Sequence, residues 1–82
     1  MFVIAAVFAR SEVKYGDRAE RYVHMEAGHV AQNILLQAVA LDLGGVPMGA
    51  FVDGDVRLVL GLPADSAPLY LVPVGHPAPG AI

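Results

Sequence analysis

Residues 18–51 read RAERYVHMEAGHVAQNILLQAVALDLGGVPMGAF, a long run of small and apolar residues that continues through two glycines into a short segment, residues 46–51. At about 100° per residue, residues 22–43 form two apolar faces of a helix. A surface helix of a globular domain normally has one apolar stripe. We therefore predict a helix packed on both sides. Only a narrow polar strip separates the faces: Glu26, His29, Asn33 and Gln37.

The predicted helix is also long for its chain. About 25 residues make a rod of roughly 37 Å, whereas an 82-residue domain has a diameter near 30 Å. The chain is 56% hydrophobic and 16% charged, and soluble domains are usually about 25% charged. A small domain cannot bury so much apolar surface alone. We expect a homo-oligomer through the long helix, or one part of a larger protein, with a second copy or a missing domain covering the second face.

Charge and composition exclude several classes of function. A net charge of −3 with only five Lys and Arg argues against nucleic-acid binding. The chain has no cysteine, which excludes disulfides and thiolate chemistry and fits a cytoplasmic protein. The apolar residues 2–9 are too few to span a membrane and lack the positive region that precedes a signal peptide's core. We predict neither a nucleic-acid nor a membrane partner.

The remaining elements follow from local patterns. Residues 2–8 predict a buried strand, and residues 10–16 a loop. Asp17, with Glu20 three residues later, predicts a capped start of the long helix. Gly44-Gly45 predicts its left-handed end near Leu43. The order β-α-loop-α-β indicates one α+β domain over residues 1–82, whose two strands need partners from elsewhere.

The second half of the chain contains a shorter helix and a strand. A helix over residues 54–60 is predicted to be opened by Asp53 or Asp55 and closed by Gly61 and Pro63. Residues 69–74 predict a strand, in which Pro73 requires a sheet edge or a bulge because it has no N–H. The tail from Gly75 is rich in proline and glycine and is predicted to be irregular.

The sequence favours no catalytic or metal-binding side chains. His24 and His29 point about 140° apart on a helix, whereas zinc pairs require a spacing of four. Glu26 and His29 could ligate together, but a third ligand is missing, so a solvated or hydrogen-bonded strip is the simpler interpretation. The two glycines are not followed by lysine and end a helix, unlike a phosphate loop. Residues 46–50 could donate main-chain hydrogen bonds to a flat ligand, although a plain connector is the favoured interpretation on the residues alone.

Three blocks carry a resemblance to a known family: YGDRAERY (residues 15–22), EAGHVAQN (residues 26–33) and YLVPVG (residues 70–75). With VRLVLGLP and APLYLVPVGHP they follow in the order found in the C-terminal half of nitroreductase-like flavoproteins. The chain most resembles the SagB-type dehydrogenases, which oxidise azolines in peptide natural products. The resemblance covers nearly the whole chain, from about Phe2 to Pro77.

The resemblance implies a partial nitroreductase-like α+β fold, an intimate homodimer and FMN at the dimer interface, with the long helix against the partner subunit. It places Pro47, Met48, Gly49 and Ala50 against the flavin ring, where the segment donates main-chain hydrogen bonds near N5 and O4. Many relatives have Glu-Gly at Gly49-Ala50, a change that main-chain donation survives. The family's Arg-rich phosphate site belongs to the N-terminal half, which this chain does not contain.

Two functions are therefore expected. The first is an FMN-dependent oxidoreductase, or its C-terminal part, that transfers hydride through the flavin to or from a small molecule or a peptide. The alternative is a non-catalytic dimerising half-fold that has lost FMN binding. The cofactor expected for this chain is FMN, and no metal is expected.

Overall fold

The computed structural model describes residues 1–80 and is built around one helix of 22 residues, roughly 33 Å long. The chain order is β1 (Phe2–Ala6), α1 (Phe8–Tyr15), a 3-10 turn (Gly16–Arg18), α2 (Ala19–Ala40), β2 (Gly44–Gly45), α3 (Asp53–Leu60), β3 (Ala67–Val72) and β4 (Val74–Gly75). The mixed α+β class and the long central helix are confirmed. The last two residues of the tail lie outside the described residues.

Strand β3 organises the sheet. It pairs antiparallel with β1, so that Phe2 lies opposite Val72 and Ile4 opposite Tyr70, with an irregularity between Ile4 and Ala5. After β3, β4 pairs antiparallel with β2 as a second small sheet. Pro73 separates β3 from β4. The sequence predicts one strand over residues 69–74 with Pro73 at a sheet edge or a bulge. In the structure β3 ends at Val72 instead, because a residue without an N–H cannot donate to a ladder.

The core between α2 and the strands is small. The buried apolar side chains of α2 are all alanines, and β3 contributes the fully buried Val72. Alanine lets a helix lie close to a sheet, but each alanine removes little apolar surface from water. The molecule is accordingly thin and elongated, measuring 47 × 26 × 17 Å. Its radius of gyration is 14.6 Å, compared with about 12 Å for a compact domain of this length.

Helix α1 corrects the predicted loop over residues 10–16 and shortens the predicted first strand, which ends at Ala6. Phe8 begins the helix, and its ring makes an edge-to-face contact with the His24 ring on α2 at a centroid distance of 5.6 Å. Contact with α2 therefore helps to stabilise this helix, which at eight residues is too short to be stable by itself. Gly16 ends α1 with a positive φ of 56°, a conformation that glycine adopts easily.

The capped start predicted at Asp17 is wrong. Asp17 lies inside the 3-10 turn, and α2 begins at Ala19 without a side-chain cap on its first turn. A capping residue needs extended geometry, whereas Arg18, which precedes the helix, is already helical with φ −87° and ψ −8°. The preceding turn leads directly into α2 and leaves no extended residue for a cap.

The end predicted at Gly44-Gly45 is also wrong, because α2 stops at Ala40 and the two glycines form β2. The left-handed residue is Asp42, with φ 58°. Its N–H donates to the Val39 carbonyl at 3.1 Å, and the Leu43 N–H donates to the Ala38 carbonyl at 2.8 Å. These two bonds make a Schellman motif, which satisfies the last carbonyls of the helix.

The shorter helix is close to its prediction. α3 begins at Asp53 and ends at the left-handed Gly61, with φ 66°. Neither aspartate caps it, since Val52 occupies the cap position without a side-chain hydrogen bond. Asp53 and Asp55 instead lie in the first turn, where a carboxylate is favoured by the helix dipole. In the described part of the chain, no helix is both long and apolar enough to cross a membrane.

Candidate functional site

The candidate site begins with a ladder of main-chain hydrogen bonds between residues 44–48 and residues 71–75. Gly44 lies opposite Gly75 and Gly45 opposite Val74. Further along, the Val46 N–H donates to the Pro73 carbonyl at 3.2 Å. The ladder holds the segment that follows α2 against the edge of β3 opposite to β1.

Gly45 is required by close packing in this ladder. A Cβ placed on Gly45 would lie 3.0 Å from Cδ2 of Leu35 and 3.3 Å from Cγ2 of Val74. A side chain there would require the Leu35 and Val74 side chains to shift by a few tenths of an ångström, since real Cβ atoms rarely approach so closely. The glycine therefore sets how near the segment lies to α2.

Pro47 lies between two residues that pair with the sheet. Val46 and Met48 both donate to the strand, and successive residues of an extended segment point their N–H groups in opposite directions. Pro47 thus occupies the position where an N–H would point away from the sheet. Its missing donor costs nothing there, and it holds Val46 in extended geometry.

Met48 is fully paired with Leu71. Its N–H donates to the Leu71 carbonyl at 2.7 Å, and the Leu71 N–H donates to the Met48 carbonyl at 3.0 Å. Of the four residues predicted to contact a flavin, Pro47 has no N–H. The N–H of Met48 is already hydrogen-bonded to Leu71. Sequence reasoning missed this pairing, whose only signal is the matching of two proline-interrupted extended segments.

Gly49 and Ala50 are the two predicted site residues whose N–H groups make no backbone hydrogen bond within residues 1–80. Both are exposed. Gly49 lies beside Tyr70, since a Cβ placed on it would be 3.7 Å from the ring's Cε1. Residues 46–51 include no ionisable side chain. The chemistry of this edge is therefore hydrogen-bond donation from a supported main chain.

The other candidate groups do not converge on this edge. Among the described residues, no cluster of three or more His, Asp or Glu side chains could hold a metal ion. Glu26 and His29 instead line a shallow depression on α2 with three aromatic or apolar neighbours. An apolar groove of about 450 Å³ runs between α2, β1 and β4, with Asn33 and Gln37 as its polar lining residues.

Comparison with known proteins identifies the family of this chain. A model of the nitroreductase family matches residues 1–76. The chain belongs to the nitroreductase family. The resemblance seen in its three sequence blocks is thereby confirmed at the level of the family.

Individual nitroreductase relatives agree with this assignment. A candidate nitroreductase of Methanocaldococcus jannaschii is 51% identical over 76 residues, which is 93% of this chain and 37% of the relative. An NADPH-flavin oxidoreductase of Vibrio harveyi is 40% identical over 55 residues, which is 65% of this chain and 23% of the relative. The chain therefore spans less than two fifths of the length of these relatives.

Solved structures show the same fold. The crystal structure of a candidate nitroreductase from Anabaena variabilis matches with a TM-score of 0.84 and 39% identity, over 93% of this chain and 16% of the other. A nitroreductase family protein from Streptococcus pneumoniae matches with a TM-score of 0.73, over 84% of this chain and 35% of the other. Its 24% identity supports the fold alone.

Proposed function

We propose that this chain forms the ring-facing wall of an FMN-dependent oxidoreductase related to the SagB-type dehydrogenases. The observation that supports this most directly is the pair of main-chain donors at Gly49 and Ala50, which have no backbone partner within residues 1–80. They follow a residue, Met48, that is locked to the sheet on both its N–H and its carbonyl. Donors held in this way are preorganised, so little entropy is lost when a ligand accepts their hydrogen bonds.

The residues at this edge fit the ring of a flavin. Gly49 and Ala50 have no bulky side chain, so a flat ligand can approach their N–H groups closely. Residues 46–51 are neutral, and Tyr70 supports Gly49 from the sheet. When bound, FMN supplies the hydride transfer, while the protein orients the ring and stabilises charge at its edge. The names of the M. jannaschii and V. harveyi relatives support an oxidoreductase that uses a flavin.

The phosphate of FMN requires different residues. Phosphates are held in proteins chiefly by charge-assisted hydrogen bonds, often from arginine, and residues 46–51 contain neither Arg nor Lys. We therefore expect the 82-residue chain to hold the ring more than the phosphate. It should bind FMN weakly and should discriminate little between FMN and riboflavin.

We also propose that the protein is a homodimer whose subunits meet along α2. The support is surface area: the chain exposes 5901 Å², whereas a compact monomer of 8.6 kDa exposes about 4,700 Å². A thin molecule with an alanine-rich core buries little apolar surface by itself, so a partner that covers its helix should stabilise it most.

Titration of the purified chain with FMN, followed by quenching of flavin fluorescence, tests the proposed cofactor. We expect saturable quenching in separate titrations with FMN and with riboflavin, with similar dissociation constants for the two ligands. A chain that remains folded by circular dichroism but shows no saturable binding would overturn the flavin role. That result would favour the alternative, a non-catalytic dimerising half-fold, for which the large exposed surface is the specific support.

A further inference from the structure

The shallow depression on α2 has the side chains of a cation-binding pocket. It has a volume of about 400 Å³ and lies on the first turns of the helix, on the side opposite to the buried alanines. Intervals of three and four residues bring its α2 side chains together, and the last residue of α1 completes it. We call this surface the tyrosine pocket, and it is lined by Tyr15, Tyr22, Met25, Glu26 and His29.

The rings of Tyr15 and Tyr22 form a corner of the tyrosine pocket. Their centroids are 5.1 Å apart and their planes lie at 89° to each other, so each ring holds the other in an edge-to-face contact. Gly16 ends α1 with a positive φ, and the 3-10 turn that follows leads into α2. The turn thereby brings Tyr15 beside Tyr22. Because the corner is already built, little conformational entropy is lost when a ligand enters it.

The electrostatics of this corner favour a positively charged ligand. The face of an aromatic ring carries partial negative charge and attracts a cation that lies within about 6 Å of its centroid. Tyr15 already shows this attraction, since the ammonium nitrogen of Lys14 lies 5.3 Å from its centroid. Lys14 lies outside the lining of the tyrosine pocket. Within the pocket, the carboxylate of Glu26 adds a full negative charge beside the rings.

The lining suits a methylated ammonium group better than a bare one. A bare ammonium has three N–H donors that need acceptors, whereas two phenol rings and the Met25 thioether supply mainly carbon and sulfur surface. A quaternary ammonium has no N–H, and its methyl groups can contact the rings and the thioether. We propose that the tyrosine pocket binds a small quaternary ammonium compound, with Glu26 as its counter-ion.

The tyrosine pocket is separate from the other surfaces of α2 and from the flavin-facing edge. The α2 residues that line the apolar groove, such as Val30, Ile34 and Leu41, lie about 100° further around the helix axis. A partner seated on the groove therefore leaves the pocket open. Residues 46–51 do not line the pocket, so this inference goes beyond the flavin role and does not depend on it.

Titration with choline, followed by NMR of the tyrosine rings and methionine methyl groups, tests the proposal. We expect choline to shift the signals of Tyr15, Tyr22 and Met25 saturably, with a dissociation constant on the order of 1 mM. Tyr70 lies on β3 and should not shift. The neutral analogue 3,3-dimethylbutan-1-ol has the shape of choline without its charge, and we expect it to bind at least fivefold more weakly.

Three results of this titration would overturn the proposal. The first is a folded chain that shows no saturable shift with choline. The second is equal affinity for choline and its neutral analogue, which would show an apolar depression without preference for charge. The third is the same set of shifts with potassium chloride at equal concentration, which would show an effect of salt alone.

Conservative variants separate the contribution of the ring from that of the charge. Tyr22→Leu removes the aromatic face and keeps an apolar side chain, and we expect it to weaken choline binding about two- to fivefold. Tyr22→Phe keeps the face and should bind within twofold of the parent chain. Glu26→Gln removes the counter-ion at an exposed position and should also weaken binding about two- to fivefold.

Circular dichroism of these variants controls for folding. Glu26→Gln is isosteric and exposed, so it keeps the test open if Tyr22→Leu does not fold. Parent-like affinity of folded Glu26→Gln would contradict the role of the carboxylate as counter-ion. Equal losses in Tyr22→Leu and Tyr22→Phe would contradict the role of the aromatic face.

A trimethylated lysine side chain has the same headgroup as choline, so its source needs a separate measurement. N-acetyl-trimethyllysine methylamide, titrated in the same way, is expected to bind within threefold of choline. A dissociation constant more than tenfold lower than that of choline would assign the pocket to a modified protein segment and overturn the proposed small ligand. These titrations use no flavin, so their failure is distinguishable from failure of the FMN role.

Discussion

Met48 and Leu71 are 23 positions apart and exchange both of their backbone hydrogen bonds, with N···O distances of 2.7 and 3.0 Å. This pair connects the segment after α2 to the central strand of the sheet. It also divides the four residues that the sequence nominates for flavin contact. Two of them, Pro47 and Met48, have no free N–H, and the next two, Gly49 and Ala50, retain theirs.

Amide hydrogen exchange is expected to report this division directly. The amides of Met48 and Leu71 should exchange slowly because both are hydrogen-bonded. The amides of Gly49 and Ala50 should exchange rapidly in the free chain and become protected when FMN is added. Residue-resolved exchange measured by NMR, with and without FMN, checks both statements. Rapid exchange at Met48 would contradict the pairing, and no change at Gly49 and Ala50 would contradict their role as donors.

Removal of one donor is expected to weaken flavin binding. Ala50→Pro deletes an N–H that has no backbone partner within residues 1–80, so the fold should tolerate it. Loss of one hydrogen bond to the ligand corresponds to about a tenfold weaker affinity. Ala50→Gly is the matched control, because it keeps the N–H and changes the side chain by one methyl group. Equal affinities of the two variants in the FMN titration would exclude donation by Ala50.

The end of α2 offers a stabilising substitution. Asp42 adopts a left-handed conformation with φ 58°, which costs a residue with a Cβ more than it costs glycine. We expect Asp42→Gly to raise the free energy of unfolding by about 0.5–1 kcal/mol. Asp42→Asn should be near neutral, since asparagine also tolerates this conformation. Urea denaturation of the three proteins, all at the same protein concentration, makes the comparison. A lower midpoint for Asp42→Gly than for the parent chain would refute the prediction.

Gly45 is expected to be intolerant of a methyl group. Gly45→Ala places Cβ 3.0 Å from Leu35 and 3.3 Å from Val74, and overpacking of this kind costs about 1–3 kcal/mol. The control is Gly54→Ala on α3, where nothing lies within 4 Å of the new methyl group. Gly54→Ala should raise the free energy of unfolding by about 0.5 kcal/mol, because glycine is a poor helix former. In thermal unfolding, the melting temperature should fall for Gly45→Ala and rise for Gly54→Ala. The prediction fails if both melting temperatures shift in the same direction.

The sequence by itself determined the family, the α+β class and the long helix with two apolar faces. It also located the shorter helix that ends at Gly61, and it restricted Pro73 to a sheet edge or a bulge. These features depend on residues close together in the chain: helical periodicity, the left-handed preference of glycine, and the missing N–H of proline.

Only the tertiary structure decided which face of α2 is buried, where α2 ends, and that residues 8–15 form a helix. It also decided which predicted donors are free. The N–H of Met48 is used because Leu71 lies opposite to it, and Gly45 is needed because Leu35 and Val74 approach it. Such contacts join residues far apart in the chain, and the conformational preferences of neighbouring residues cannot predict them. The physical reason is that a hydrogen bond or a close approach is defined by both partners, and the second partner is selected by the fold.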